Sequence, residues 1–207
     1  MVVVSITKKG NNVLVMFDDA SELLLNYNVF IDSMLRRNDK VDQKRIDELR
    51  KRNELYKIKH SALNLLGRRA HSKRELYQKI IKKGFDKDFC LQVLDELNES
   101  NYINDRDFAE KYADEKIKKG KSGINKIRTE LIRKGIDKDI IRNIELKYQS
   151  SDEIIDNVVL LSSKKLEFLK KKETDKRKIK GKLYSYLLGK GFTSEQILEG
   201  INQLNLE

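Results

Sequence analysis

Two kinds of hydrophobic pattern divide the chain. Near its start, β-branched and aliphatic residues fill two short runs, 2–7 and 13–17, with the turn residues Gly-Asn-Asn at 10–12 between them. Such runs around a Gly/Asn turn predict a β-hairpin. Residues 21–27 are consistent with either a third strand or the start of a helix. From about residue 46, apolar residues recur at three- and four-residue steps, which is typical of amphipathic helices.

The helical part repeats itself around three Lys-Gly-apolar triplets. They occupy residues 83–85, 134–136 and 190–192, so their glycines are 51 and 56 residues apart, a period found in helical repeat arrays. Apolar residues stand eight, four and three positions before each glycine, and six and thirteen after it: Leu76, Ile80, Ile81, Cys90 and Leu97; Ile127, Leu131, Ile132, Ile141 and Tyr148; Leu183, Leu187, Leu188, Ile197 and Leu204. We expect the positions before each glycine to form one buried helical face.

Each repeat contains signals for helix ends. The glycine supplies the left-handed residue that terminates a helix, and a second helix follows it. Thr193 with Gln196, and Ser72 with Glu75, have the spacing of a capping box. A further helix is expected before each pair, over residues 56–69, 105–119 and 152–170.

These patterns predict a mainly α protein in which three tandem three-helix repeats form an elongated array behind a small N-terminal α/β module. We place the module at residues 1–54 and the repeats at residues 55–101, 102–149 and 150–207. Because each repeat presents an apolar face that its neighbour can cover, we expect a monomer. The chain contains no proline, which permits long unbroken helices.

Charge is unevenly distributed. The chain carries 44 Lys and Arg against 33 Asp and Glu, a net charge of +11, although residues 1–35 are net negative. Residues 116–134 hold eight basic residues against Glu130 alone, and residues 164–182 hold ten against three, so each segment carries +7. Fields of this size attract nucleic acid or acidic protein surfaces.

Several classes of protein are disfavoured. No run approaches the roughly 18 apolar residues of a membrane span, and the first residues lack the basic segment of a secretory signal. The single cysteine, Cys90, suits a reducing cytoplasm and replaces an isoleucine of the other repeats, so we expect it in the core. With it, His60 and His71 are too few for a soft-ligand zinc site. Both histidines are expected among exposed polar neighbours.

Catalytic motifs are incomplete. Residues 120–122, Gly-Lys-Ser, resemble the end of a P-loop, but that motif needs glycine where Glu115 stands, and a preceding strand where a helix is expected. Asp105 and Asp107 could suggest a metal pair, although capping a helix start is the better interpretation. We therefore expect no enzyme activity, no cofactor and no metal.

Some of these residues resemble a known family. Residues 102–109, Tyr-Ile-Asn-Asp-Arg-Asp-Phe-Ala, are followed by Glu-Leu at 130–131 and Lys-Gly-Ile at 134–136. This order is similar to the signature of the RecX regulators of bacterial RecA recombinase. The opening of the first repeat, with Ala-Leu-Asn-Leu-Leu at 62–66 and Lys-Gly-Phe at 83–85, is similar to the same family.

The resemblance covers residues 55–206 and matches the N-terminal module only loosely. Two departures are Ile124, where relatives often have proline, and the lysine-rich extension over residues 164–182. The family implies a cytoplasmic regulator in DNA repair and the SOS response. Such a regulator would lie along the groove of the RecA–DNA filament and inhibit recombination and filament growth.

Basic side chains on exposed helix faces are the expected contacts to this partner. The candidates are Arg68, Arg69, Lys73, Arg74, Lys82, Lys119, Lys126, Arg133, Lys170, Lys171, Lys172 and Arg177. An alternative function is a helical-repeat protein that binds DNA directly through a recognition helix. Faces rich in lysine, rather than in Arg, Asn or Gln, favour the regulator. An RNA-binding role is weaker, since aromatic residues make up 7% and no exposed stacking pair stands out.

Overall fold

The structure, a computed structural model, describes residues 1–149 and 151–204 and consists there of one three-stranded sheet and ten helices. The strands are β1 (Val3–Lys9), β2 (Asn12–Phe17) and β3 (Glu22–Asn26). The helices are α1 (Tyr27–Ser33), α2 (Gln43–Leu66), α3 (Lys73–Ile81), α4 (Lys87–Glu99), α5 (Asp105–Lys118), α6 (Ile124–Arg133), α7 (Lys138–Tyr148), α8 (Asp152–Lys170), α9 (Lys176–Gly189) and α10 (Ser194–Asn202). The mainly α fold with its N-terminal α/β module is confirmed.

The sheet is antiparallel in the order β1-β2-β3. Gly10 adopts φ +60° at the hairpin turn, where Lys9 pairs with Asn12. Val15 and Leu23 lie opposite each other and are buried, and α1 and α2 pack with this face. The predicted hairpin is therefore confirmed, and residues 21–27 supply both the third strand and the start of α1.

Helix α2 is longer than the expected helix over residues 56–69, since it begins at Gln43. Its first half belongs to the N-terminal core through Leu49, whereas its second half belongs to the core of the first repeat through Ile58. One continuous helix thus serves two cores, and the change of core falls near residue 54. The domain boundaries themselves remain predictions.

The glycine of each triplet ends its helix as expected. Gly84, Gly135 and Gly191 have φ of +87°, +76° and +90°, values that residues with a Cβ rarely adopt. After Gly135, the amide of Ile136 donates to the carbonyl of Leu131 at 3.1 Å, the long hydrogen bond of a Schellman motif.

The buried face of these helices is narrower than the sequence pattern suggests. Residues eight and four positions before the glycines are fully buried in all three repeats, but Ile132 and Leu188, three before, are each 50% exposed. At 100° per residue, the position three before the glycine lies about 120° around the helix from the middle of the two buried positions, eight and four before it. In the second and third repeats the neighbouring helices leave this position half exposed, so assigning Ile132 and Leu188 to the core was wrong.

Contacts divide the chain into two compact units, Met1–Ile103 and Asn104–Glu207. Within the second unit one continuous core runs from Phe108 to Ile201 and joins the second and third repeats. The first repeat has a separate core built by α2, α3 and α4. The second and third repeats are therefore one packing unit.

The structure confirms one capping prediction and corrects another. Thr193 and Gln196 form the reciprocal capping box of α10. At α5, however, the cap is Asn104, whose side chain accepts from the amide of Asp107 at 3.0 Å. Asp105 and Asp107 lie in the first helical turn, where a carboxylate favours the positive end of the helix.

Candidate partner-binding surface

The single acidic residue of the basic segment 116–134 is occupied inside the second unit. Tyr112 donates its hydroxyl hydrogen to Glu130 Oε2 at 2.6 Å, and the Lys116 ammonium lies 3.0 Å from the same oxygen. Partial burial acts to raise the pKa of Glu130, but these two hydrogen bonds outweigh it and hold the pKa below its usual value. The carboxylate therefore stabilises the α5–α6 contact and stays charged.

The outward face of α6 carries exposed positive charge. Lys126 and Arg133 are exposed two helical turns apart, and neither has an ion-pair partner within 4 Å among the described residues. The exposed Ile132 lies next to Arg133. We call Lys126, Ile132 and Arg133 the α6 surface; it offers cations and an apolar contact to an acidic partner.

The exposure of Ile132 was not predicted, because its spacing from the glycine matches that of core residues. No signal in the spacing could have found it, since Ile81, at the same position of the first repeat, packs against the core of that repeat. In the third repeat, Leu188 holds the equivalent exposed position.

In the first repeat the candidates fall into two groups. Arg68, Arg74 and Lys82 are exposed, with no ion-pair partner within 4 Å among the described residues. Arg69 and Lys73 instead form ion pairs within the repeat. Arg69 pairs with Glu75 at 2.9 Å and Lys73 pairs with Asp95 of α4.

The lysine-rich extension lengthens two helices of the third repeat. Helix α8 has 19 residues against 14 in α5, and α9 has 14 against 10 in α6. The acids at the α8–α9 turn have local roles, since Glu173 pairs with Lys182 at 3.0 Å and Asp175 caps α9. All four candidates of this repeat are exposed: Lys170, Lys171, Lys172 and Arg177.

The remaining candidate of the second unit, Lys119, is exposed but pairs with Glu115 one turn earlier in sequence. Surface pairs of this kind contribute little stability and exchange easily for another anion. The structure thus places five candidates in the first unit, and the other seven in the second.

In the described part of the chain, side chains that could bind a metal ion do not cluster. No group of three His, Cys, Asp or Glu side chains is arranged there to hold a metal ion. Cys90 is fully buried, as expected for a core position, and burial raises the pKa of its thiol. Of the helices in residues 1–149 and 151–204, none combines the length and apolar character that crossing a bilayer requires.

His71 differs from its expected exposed position, since it is only 3% exposed. Its Nδ1 lies 2.9 Å from the carbonyl oxygen of Arg69, and its Nε2 lies 2.7 Å from the Lys79 ammonium. Since a carbonyl only accepts and an ammonium only donates, Nδ1 carries the hydrogen and the ring is neutral. His71 therefore has a structural role in the first repeat.

Three family models match the chain in the order of its repeats. They are described as the first, second and third three-helix domains of RecX, and they match residues 59–97, 104–143 and 152–200. Each match covers one of the three-helix repeats of the structure.

Relatives with known names and structures agree with these matches. The chain is 34% identical over 182 residues to a regulatory protein RecX of Clostridium perfringens, covering 88% of this chain and 84% of that protein. It is 37% identical over 143 residues to a regulatory protein RecX of Chlorobium phaeobacteroides, covering 69% and 90%.

Two crystal structures share the fold. One, of a regulatory protein RecX, has a TM-score of 0.78 at 19% identity and covers 97% of this chain and 98% of its own. The other, of RecX from Lactobacillus salivarius, has a TM-score of 0.66 at 25% identity and covers 74% and 98%. Together with the three family models, these likenesses show that the chain belongs to the RecX family of regulatory proteins.

Proposed function

We propose that this protein binds the RecA–DNA filament and inhibits strand exchange and filament growth. It does so as a cytoplasmic, non-enzymatic monomer. The observation that carries the proposal is the α6 surface. There, Lys126 and Arg133 are exposed and have no ion-pair partner within 4 Å among the described residues, while Glu130, the one acid of the segment, accepts from Tyr112 and pairs with Lys116. The choice of RecA as the partner rests on membership of the RecX family.

Repetition of the three-helix unit supports a repetitive partner. Basic candidates occur in each repeat, so several weak contacts can form along one filament. The second and later contacts are then intramolecular and raise the overall affinity by orders of magnitude. A filament of identical protomers is a target that suits such multivalent binding.

The test is co-sedimentation with single-stranded DNA, either bare or coated with RecA and a non-hydrolysable nucleotide, near physiological salt. We expect preferential sedimentation with the coated filament and slower strand exchange on addition of the protein. Equal or better binding to bare DNA would overturn the proposal. It would favour the alternative of a direct DNA-binding protein, which the exposed lysines of the third repeat make chemically reasonable.

A charge reversal locates the contact. The double variant Lys126→Glu/Arg133→Glu replaces two exposed cations, so we expect at least about tenfold weaker filament binding with an unchanged circular dichroism spectrum. The matched control is Lys138→Glu/Arg142→Glu, which makes the same charge change on exposed positions of α7. Equal losses in both variants would mean that net charge, rather than the α6 surface, determines binding.

A further inference from the structure

An exposed phenylalanine surrounded by lysines lies where the third repeat is lengthened. Phe168, on α8, is 49% exposed, and Tyr186, on α9, is partly exposed. The Lys165 ammonium lies 5.0 Å from the centroid of the Phe168 ring and 5.2 Å from that of the Tyr186 ring, so one cation contacts both rings. Lys172 lies 4.6 Å from the Phe168 centroid and Lys190 lies 5.3 Å from the Tyr186 centroid.

We propose that these five residues, the lysine–aromatic patch, bind single-stranded nucleic acid by stacking a base on Phe168 and holding the flanking phosphates with lysines. This site shares no residue with the α6 surface and does not depend on RecA.

The charge around the patch favours a polyanion. Segment 164–182 carries +7, and two of its three acids are used locally, Glu173 by Lys182 and Asp175 by the start of α9. The lysines of the patch contact ring faces, and within residues 1–149 and 151–204 none of them forms an ion pair with a carboxylate. Such exposed cation–π contacts are worth only about 0.5–1 kcal/mol. Each ammonium can therefore move to a phosphate and uncover a ring face.

The aromatic rings decide which polyanion fits. An acidic protein surface or a duplex would use the lysines but would leave the Phe168 ring without a partner, because the bases of a duplex are stacked on each other. Single strands present unstacked bases, and aromatic side chains interleaved with cations are the usual platform for them. Extension of α8 and α9 places both features on one surface.

Fluorescence anisotropy with a labelled oligothymidylate of about 16 nucleotides tests the proposal. Phe168→Ala and Phe168→Leu are both expected to weaken binding roughly 5- to 100-fold, the range for one stacked base, since leucine keeps the apolar surface but not the π face. The matched control is Tyr102→Ala, which removes an aromatic ring that is 61% exposed in the first unit. It should bind like the parent protein.

Salt dependence tests the lysines. Lys172→Gln should reduce the slope of log K against log salt by about 0.7, the value for one phosphate contact on a single strand. A duplex of the same length should bind equally to the parent protein and to Phe168→Ala. Unchanged affinity of both Phe168 variants for the single strand would overturn the proposal, and so would an equal loss on the duplex or with Tyr102→Ala.

This outcome is distinguishable from failure of the regulator proposal. The patch is measured on bare single strands without RecA, whereas the α6 surface is measured on coated filaments. Competition by polyglutamate that is as strong as competition by unlabelled oligothymidylate would show an acidic-protein site and would overturn the base-stacking role.

Discussion

At the residue scale, burial determines the protonation state of His71 in the first repeat. Burial lowers the pKa of His71, and the positive charges of Arg69 and Lys79 act in the same direction. The Arg69 carbonyl and the Glu75 carboxylate oppose this effect without cancelling it. The folded protein therefore keeps the imidazole neutral at a pH where the unfolded chain takes up a proton.

This difference predicts how stability depends on pH. The contribution of His71 is fully present above its ordinary pKa of 6.5 and is lost as the pH falls below that value, because the unfolded state then binds the extra proton. We expect the urea concentration at the unfolding midpoint to decrease as the pH is lowered from about 7.5 to about 5.5, a range in which His is the main titrating side chain.

Substitution identifies the responsible histidine. His71→Gln should flatten the fall in midpoint, whereas His60→Gln, at an exposed position of α2, should leave it as in the parent protein. If His60→Gln flattened the profile and His71→Gln did not, the neutral buried imidazole would be excluded as the cause.

At the scale of elements, two glycines set how α6 meets the third repeat. The amide of Gly123 donates to the carbonyl of Lys190 at 2.9 Å, and the amide of Asn125 donates to the carbonyl of Gly191 at 3.0 Å. A Cβ on Gly123 would lie 2.4 Å from the Gly191 backbone. The start of α6 and the α9–α10 turn therefore touch backbone to backbone.

Gly123→Ala should destabilise the second unit because the two backbones must separate. We expect a loss of about 1–3 kcal/mol in the free energy of unfolding, measured by urea denaturation. Gly181→Ala is the matched control, since a Cβ there meets nothing within 4 Å and Gly181 lies inside α9. It should stabilise the protein by about 0.5–1 kcal/mol, and a similar loss in both variants would contradict the close contact.

Local features of these elements are predictable from sequence. The helix ends at the triplet glycines and the N-cap at Thr193 depend on residues within a few positions, so residue spacing was sufficient to predict them. The burial of His71 and the exposure of Ile132 depend on which helix packs opposite, which spacing does not encode.

The same distinction applies to the candidate site. The positive charge of the site could be predicted from composition. The ion pair between Lys73 and Asp95 could not, because it joins residues of different helices. The Phe168 and Tyr186 rings likewise lie on different helices, α8 and α9, and the Lys165 ammonium that is near both of them could not be placed from spacing.

At the scale of the whole molecule, the three repeats are not equivalent. The first has its own core, whereas the second and third share one that includes Leu131 of α6 and Leu187 of α9. Cooperative unfolding should follow cores rather than repeats, because packing free energy is lost only when the shared core opens.

Hydrogen exchange can test this. Leu187→Ala removes a fully buried side chain of the third repeat, so we expect about 2–5 kcal/mol of destabilisation. The amides of α6, in the second repeat, should exchange faster to the same extent as those of α9. Leu188→Ala, at the exposed neighbouring position, should change little, and retained protection of α6 in Leu187→Ala would separate the two repeats energetically.

The shared core also affects synthesis on the ribosome. The second repeat leaves the ribosome with an apolar face that only the third repeat covers, and its Gly123 amide finds its acceptor only once Lys190 has been made. The triplet glycines Gly135 and Gly191 are 56 residues apart. At a translation rate of about 5–20 residues per second, the apolar face therefore stays exposed for roughly 3–11 s before the third repeat is synthesised. The nascent chain therefore exposes a ready substrate for chaperones during this interval.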